Sequence, residues 1–150
     1  MLICCVIALL FCITGNAKVP YIPKIINYSV SDYKAGNQNW AVSQGPGGKM
    51  YIGNNRGLLV FDGIHWDLVK LPNNLGVRAL YISKDGRIYV GSFEEFGYFE
   101  MDDENDLIYH SLSSSEMNVY LNNDEFWTIN EYKGEIYFQS GAFLFMTGKK

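Results

Sequence analysis

Three stretches of the sequence lie over one another without a gap: AVSQGPGGKMYIG at 41–53, ALYISKDGRIYVG at 79–91 and WTINEYKGEIYFQ at 127–139. Gly48, Gly86 and Gly134 coincide, as do Tyr51, Tyr89 and Tyr137, and then Ile52, Val90 and Phe138. The copies are offset by 38 and 48 residues. A unit of this size cannot bury its apolar faces alone, so its neighbours must cover them. That requirement restricts the chain to a repeat architecture.

Each copy has the pattern of a hairpin. Apolar residues alternate into it, as at Ala79 and Tyr81 or Trp127 and Ile129, which is the period of a strand. Gly47-Gly48, Asp85-Gly86 and Lys133-Gly134 follow. Such dipeptides supply the positive φ of a two-residue hairpin turn, so these glycines are assigned to turns and to no ligand. A second strand then leaves through the tyrosine. Residues 57–62 and 64–71 predict a third and a fourth strand in the first unit, and 97–101 and 107–112 take these places in the second. Residues 142–146 are the third strand of the last unit. Composition agrees: 11 Tyr, 9 Phe and 3 Trp suit half-buried pleated surfaces, and 15 Gly suit many tight turns.

Four antiparallel strands per period make a propeller blade. The expected fold is all-β, an incomplete β-propeller of about two and a half four-stranded blades spanning 39–72, 77–113 and an incomplete 124–150. Closed rings hold roughly four to eight blades, so the sequence reads as the first part of a larger ring. Two open faces and an unpaired edge at 142–146 predict association of the isolated chain.

The start of the chain has a different character. Residues 2–13, LICCVIALLFCI, form an unbroken apolar run that is too short to span a bilayer as a helix. The run fits the apolar region of a secretory signal. Gly15 and Ala17 sit where small residues are wanted, which places cleavage between Ala17 and Lys18 and the mature protein outside the cytoplasm. A lipidated Cys12 is the alternative, disfavoured by Phe11 before it. The three cysteines, Cys4, Cys5 and Cys12, all lie in this segment, so the remainder forms no disulfide and no thiolate metal site. Pro20 and Pro23 make 18–38 an extended lead-in. A net charge of -4 with no basic patch argues against nucleic acid as a partner.

The turn and strand residues resemble the two-component regulator propeller repeat. Its motif is a turn glycine, an aromatic, an aliphatic, glycine and a small polar residue, then Gly-Leu and aromatic-Asp. Here these are Gly48, Tyr51, Ile52, Gly53, Asn54, Gly57, Leu58, Phe61 and Asp62. The second copy keeps Asp85, Gly86, Tyr89, Val90, Gly91, Ser92 and Gly97, with two extra residues before Gly97 and Tyr98 in place of the leucine. The third keeps Gly134, Tyr137 and Phe138 but has Gln139 for the glycine. The stretches NYSVSDYKAGNQNWAVSQ (27–44) and GSFEEFGYFE (91–100) resemble a subgroup of large Bacteroidetes-type regulators. That resemblance implies an extracytoplasmic sensor propeller, followed by a triple-tyrosine domain, a membrane helix and a signalling part that controls transcription. It implies a small ligand, glycan-derived in some relatives, and the remaining blades as partners. A propeller-type carbohydrate-binding protein or hydrolase is the alternative, and a purely structural β-protein is a third option.

No residue is assigned to catalysis, to a cofactor or to a metal. Asp102, Glu104 and Asp106 have the alternate spacing of a calcium loop, but Leu107 stands where its turn glycine is needed and Ser113 where its bidentate glutamate is needed. His65 and His110 lie in separate units, which makes no zinc site. Gly45-Pro46-Gly47-Gly48-Lys49 opens a strand instead of a helix, unlike a phosphate loop. Glu94 and Glu95 are adjacent and point to opposite faces of a strand. The sequon Asn27-Tyr28-Ser29 carries no assignment. Of Trp40, Trp66 and Trp127, the last is the ligand-binding candidate, because it sits on the innermost strand of its unit.

Expression of the full chain in a bacterium, followed by sequencing of the mature N-terminus, is expected to give Lys18 as the first residue. An intact Met1 in the cytoplasm contradicts the export assignment.

Overall fold

The computed structural model describes residues 22–147. The signal segment 1–17, its cleavage site at Ala17 and Lys18, the cysteines and the first part of the lead-in lie outside the described residues.

Among the described residues 11 strands form three antiparallel sheets. Sheet 1 holds β1 (Asn39–Gln44), β2 (Met50–Asn54), β3 (Gly57–Phe61) and β4 (Trp66–Val69) in chain order. Sheet 2 repeats the order with β5 (Ala79–Ile82), β6 (Ile88–Gly91), β7 (Phe96–Met101) and β8 (Leu107–Ser111). Sheet 3 has three strands, β9 (Phe126–Tyr132), β10 (Glu135–Ser140) and β11 (Leu144–Thr147). The fold is all-β, a partial propeller of stacked up-and-down sheets. The first strands lie together, β5 packing against both β1 and β9.

Face-to-face burial explains the stack. Tyr51, Leu58 and Val60 of sheet 1 meet Ile88, Val90 and Phe99 of sheet 2. Ala79, Tyr89 and Phe96 from the other face of sheet 2 meet Phe126, Ile129, Ile136 and Phe138 of sheet 3. Phe99, Phe126 and Phe138 are fully buried, and each side chain of this size contributes about 1.5–3 kcal/mol by leaving water. The middle strands are covered on both sides, which is why Gly57-Leu58-Leu59-Val60 reads as a continuous apolar run with no alternation.

The turns differ from the expected two-residue form in two of the three units. Ile82 pairs with Ile88, and the Ser83 N–H donates to the Arg87 carbonyl at 3.0 Å. The loop is therefore Lys84-Asp85-Gly86, with Gly86 at φ 90°. Asp85 favours this longer loop because it accepts from the Ser83 hydroxyl, which also donates to the Arg87 carbonyl at 3.1 Å. The same three-residue form joins β1 to β2, where Gly45 N–H donates to the Lys49 carbonyl at 2.9 Å and Gly48 takes φ 82°. Only Lys133-Gly134, at φ 53° and 80°, directly links a paired Tyr132 and Glu135 as a two-residue turn.

The lead-in is not extended throughout 18–38. It contains one helical turn, α1 (Val30–Tyr33). Asp32 Oδ2 accepts from the Ser29 N–H at 2.6 Å and from the Ser29 hydroxyl at 2.7 Å, and Lys34 ends the turn at φ 50°. The turn places Tyr33 and Ala35 on Ile52 and Leu59, the face of sheet 1 that turns away from sheet 2. Trp66 stacks on Phe61 at 4.3 Å between ring centroids, with Tyr28 at 5.3 Å and Tyr33 at 5.7 Å. That face is covered over Ile52 and Leu59, where an open face was expected, while Val42, which pairs with Ile52, stays exposed. On the far face of sheet 3, Leu144 and Met146 are exposed. A second short helix, α2 (Asn118–Leu121), precedes sheet 3 and buries Leu121 against it.

Gly86 has open space where a Cβ would stand, so only its φ resists substitution. Gly86→Val is expected to cost about 1–3 kcal/mol, while Asp103→Ala in the exposed β7–β8 loop stays within about 0.5 kcal/mol. Equal melting shifts for the two variants of the full chain contradict the turn assignment.

Candidate functional site

In each sheet the start of the first strand lies on the same side as the turn between the second and third strands, because the strands are antiparallel. Three such ends meet. The Val77 N–H donates to the Asn54 carbonyl at 2.9 Å, and the Phe126 N–H donates to the Ser92 carbonyl at 3.1 Å. Asn54 and Ser92 are the small polar residues of the repeat motif, and both are fully buried. Ser140 holds the same place in the third copy and is also buried. A Cβ on Gly53 would come within 2.9 Å of the Val77 carbonyl oxygen, and one on Gly91 within 2.5 Å of Phe126 Cβ. The glycine of the motif is thus a close-approach residue for the next sheet. Gln139, which replaces it in the third copy, is exposed.

The Asn54 side chain ties the lead-in to this end. Its Oδ1 accepts from Gly36 N–H at 2.8 Å and Arg56 N–H at 3.0 Å, and its Nδ2 donates to the Gly36 carbonyl and Asn39 Oδ1, both at 2.7 Å. Next to it Asn55 Oδ1 accepts from Trp40 Nε1 at 2.6 Å and from Arg78 Nη1 at 2.5 Å. Arg78 Nε reaches Glu125 Oε1 at 3.1 Å, and the guanidinium carbon lies 4.2 Å from the Trp40 ring centroid. Trp127 completes the cluster, its ring 6.4 Å from that of Trp40 at an interplanar angle of 70°. Trp40 is 41% and Trp127 50% exposed, so neither indole is spent on the core. The result is an open corner of two aromatic planes with a paired cation beside it, and the chemistry it offers is stacking and hydrogen bonding.

The other sequence candidates stay apart. Trp66 packs under the lead-in. His65 lies 3.3 Å from Asp62 in sheet 1, while His110 lies 3.0 Å from Glu100 and stacks on Tyr98 in sheet 2. The Asp62 carboxyl is held at about 2 by the His65 and Ile64 N–H groups. Glu94 accepts from Asn123 N–H at 2.5 Å, and Glu95 accepts from Tyr109 OH at 2.8 Å and Ser111 Oγ at 2.6 Å. Burial, and then this carboxylate, push the Tyr109 phenol well up. Asp102 Oδ1 accepts the N–H groups of Glu104 at 2.9 Å and Asp106 at 2.8 Å, closing the acidic run as a hairpin loop. Among the described residues no group of three or more His, Cys, Asp or Glu side chains is placed to hold a metal ion. No helix among them is long and apolar enough to cross a membrane.

The sequence singles out Trp127 as a candidate but not Arg78, Asn55 and Glu125, which the structure gathers around Trp40 beside it. Each stands singly at a strand start or turn, and Arg78 and Glu125 are 47 residues apart. The one available signal was that Trp40 and Trp127 both sit at the head of a first strand. At the opposite end of the first strands, clefts of about 640 and 460 Å³ open between sheets 2 and 3 and between sheets 1 and 2. Their recurrence marks them as grooves of the stacking itself.

The model of a family described as two component regulator propeller matches residues 70–94, the segment that carries β5, β6 and the turn between them. The match covers one copy of the repeat that the motifs resemble, at 70–94. A solved structure, described as the extracellular domain of a one component system from B. thetaiotaomicron, superposes with a TM-score of 0.66 at 12% identity. The match covers 84% of this chain and 17% of that one, so the chain spans about a sixth of its length. At this identity the likeness is one of fold. No curated protein matches the sequence significantly.

Replacing Asn54 by alanine leaves the Gly36 and Arg56 N–H groups without their acceptor. The variant is expected to lose about 2–4 kcal/mol in denaturant unfolding of the full chain. A loss below about 0.5 kcal/mol contradicts the role assigned to this side chain.

Proposed function

We propose that the chain is the N-terminal part of an extracytoplasmic ligand-sensing propeller in a signal-transduction regulator, a non-catalytic module that takes its ligand at the Trp40–Trp127 corner. The observation that carries this reading is the pair of half-exposed indoles, set at 70° to each other above a polar network whose partners lie in all three sheets. Exposed aromatic rings that lie together, as these two do, favour an interaction site over singly exposed side chains. Two indole planes at an angle offer apolar faces to a ring-bearing ligand such as an oligosaccharide, while the Trp40 N–H is already held by Asn55 Oδ1. Glu125 is engaged by Arg78, and Glu94 and Glu95 by neighbouring donors. That engagement favours binding over acid–base hydrolysis, which needs a carboxyl free to exchange its proton with a substrate.

The repeat match at 70–94 and the likeness in fold to an extracellular domain support placing this module outside the cytoplasm; the apolar run at 2–13 supplies the export route, with residues 1–17 removed. In the longer protein the remaining blades complete the ring and a downstream part carries the signal to transcription.

Titration of the full chain with a panel of soluble oligosaccharides, followed by tryptophan emission, tests the reading. A saturable change is expected, with affinity falling about tenfold or more in Trp127→Ala, as for an aromatic anchor. No emission change with any oligosaccharide, or a Trp127→Ala chain that binds as tightly as the parent, contradicts it.

A further inference from the structure

We infer that Arg78 is a positioning residue for this corner: it fixes the Trp40 indole so that the angle between Trp40 and Trp127 is set before any ligand arrives. The inference rests on the ligand-site reading above and names how that site is held. Arg78 comes from the middle sheet, immediately before β5, and acts on both neighbours. Its Nη1 donates to Asn55 of sheet 1 at 2.5 Å, and its Nε donates to Glu125 at the start of sheet 3 at 3.1 Å. Its guanidinium lies over Trp40 at 4.2 Å. Asn55 Oδ1 accepts from Arg78 and Trp40 Nε1 together, and Asn55 Nδ2 donates to Gln38 Oε1 at 2.5 Å. The Trp40 ring is therefore held along its N–H edge and across one face, while Trp127 meets it from the side.

The residue type matters. A planar guanidinium can stack on an aromatic ring and donate in two in-plane directions at once, which a lysine ammonium cannot do. The side chains of Arg78 and Glu125 are 22% and 24% exposed, so their pairing is shielded from much of the solvent. A half-exposed tryptophan without such contacts would sample several rotamers, and a ligand would have to immobilise it. Loss of the Arg78 contacts is accordingly expected to weaken binding about three- to tenfold with the fold intact.

The test reads the geometry of the indole pair directly. In a Trp66→Phe background only Trp40 and Trp127 remain, and their fixed contact is expected to give an exciton couplet in circular dichroism. Arg78→Met is expected to cut the couplet by more than half and to raise acrylamide quenching about twofold, with cooperative melting retained. Arg78→Lys is expected to fall between parent and Arg78→Met. Should Arg78→Met fail to fold, Asn55→Ala, which removes the acceptor that Arg78 Nη1 and Trp40 Nε1 share, and Glu125→Gln, which removes the charge paired with the guanidinium, are expected to lower the couplet in a folded chain. Arg78→Met with the full couplet overturns the inference, as do folded Asn55→Ala and Glu125→Gln chains that both keep it. A parent chain that shows the couplet but no emission change across the oligosaccharide panel overturns the ligand-site reading instead, and the couplet loss in Arg78→Met still decides the positioning.

Discussion

A backbone amide at or just before the head of each later first strand donates to a carbonyl at or just past the end of the second strand of the sheet before it: Val77 to Asn54, and Phe126 to Ser92. This bond fixes how close one sheet stands to the next. It forms only because the preceding residue is glycine, whose missing Cβ leaves room for the neighbouring chain at Gly53 and Gly91. The buried polar residue beside each glycine then serves the local backbone, through the Asn54 carboxamide to Gly36 and the Ser92 hydroxyl to the Gly76 carbonyl at 2.5 Å. No buried side-chain nitrogen or oxygen among the described residues lacks a partner. A buried polar end is tolerable only on that condition.

The apolar contacts between sheets supply most of the driving force, yet they are non-directional and would allow the stack to slide. The polar ends set the register. With the spacing fixed there, the heads of β1, β5 and β9 are held as neighbours, and whatever side chains they carry must meet. Trp40, Arg78, Glu125 and Trp127 stand at those heads. The candidate site is a consequence of the joint that assembles the fold.

Much of the architecture was legible because short-range rules governed it. Turn glycines, aromatic alternation and a period near 40 located the strands and their order. The errors came where a side chain chose between local alternatives. Asp85 and Ser83 lengthened a turn that Asp-Gly alone reads as two residues. Ser29 and Asp32 closed a helical turn in a segment that its upstream prolines mark as extended. The third copy looked degenerate for lack of its glycine, though Ser140 keeps the buried polar place. The site was hardest to read, since Asn55, Arg78 and Glu125 have nothing in common until three sheets bring them together.

Amide hydrogen exchange on the full chain reads out whether the joint between a head-of-strand amide and the preceding polar residue sets the stack. The Val77 and Phe126 amides lie outside the ladders that pair strands within a sheet, as do the loop amides of Glu104 and Asp106. Protection at Val77 and Phe126 is expected to equal that of the β6 and β10 core and to be lost only with global unfolding. Exchange at those two amides as fast as in the β7–β8 loop contradicts it.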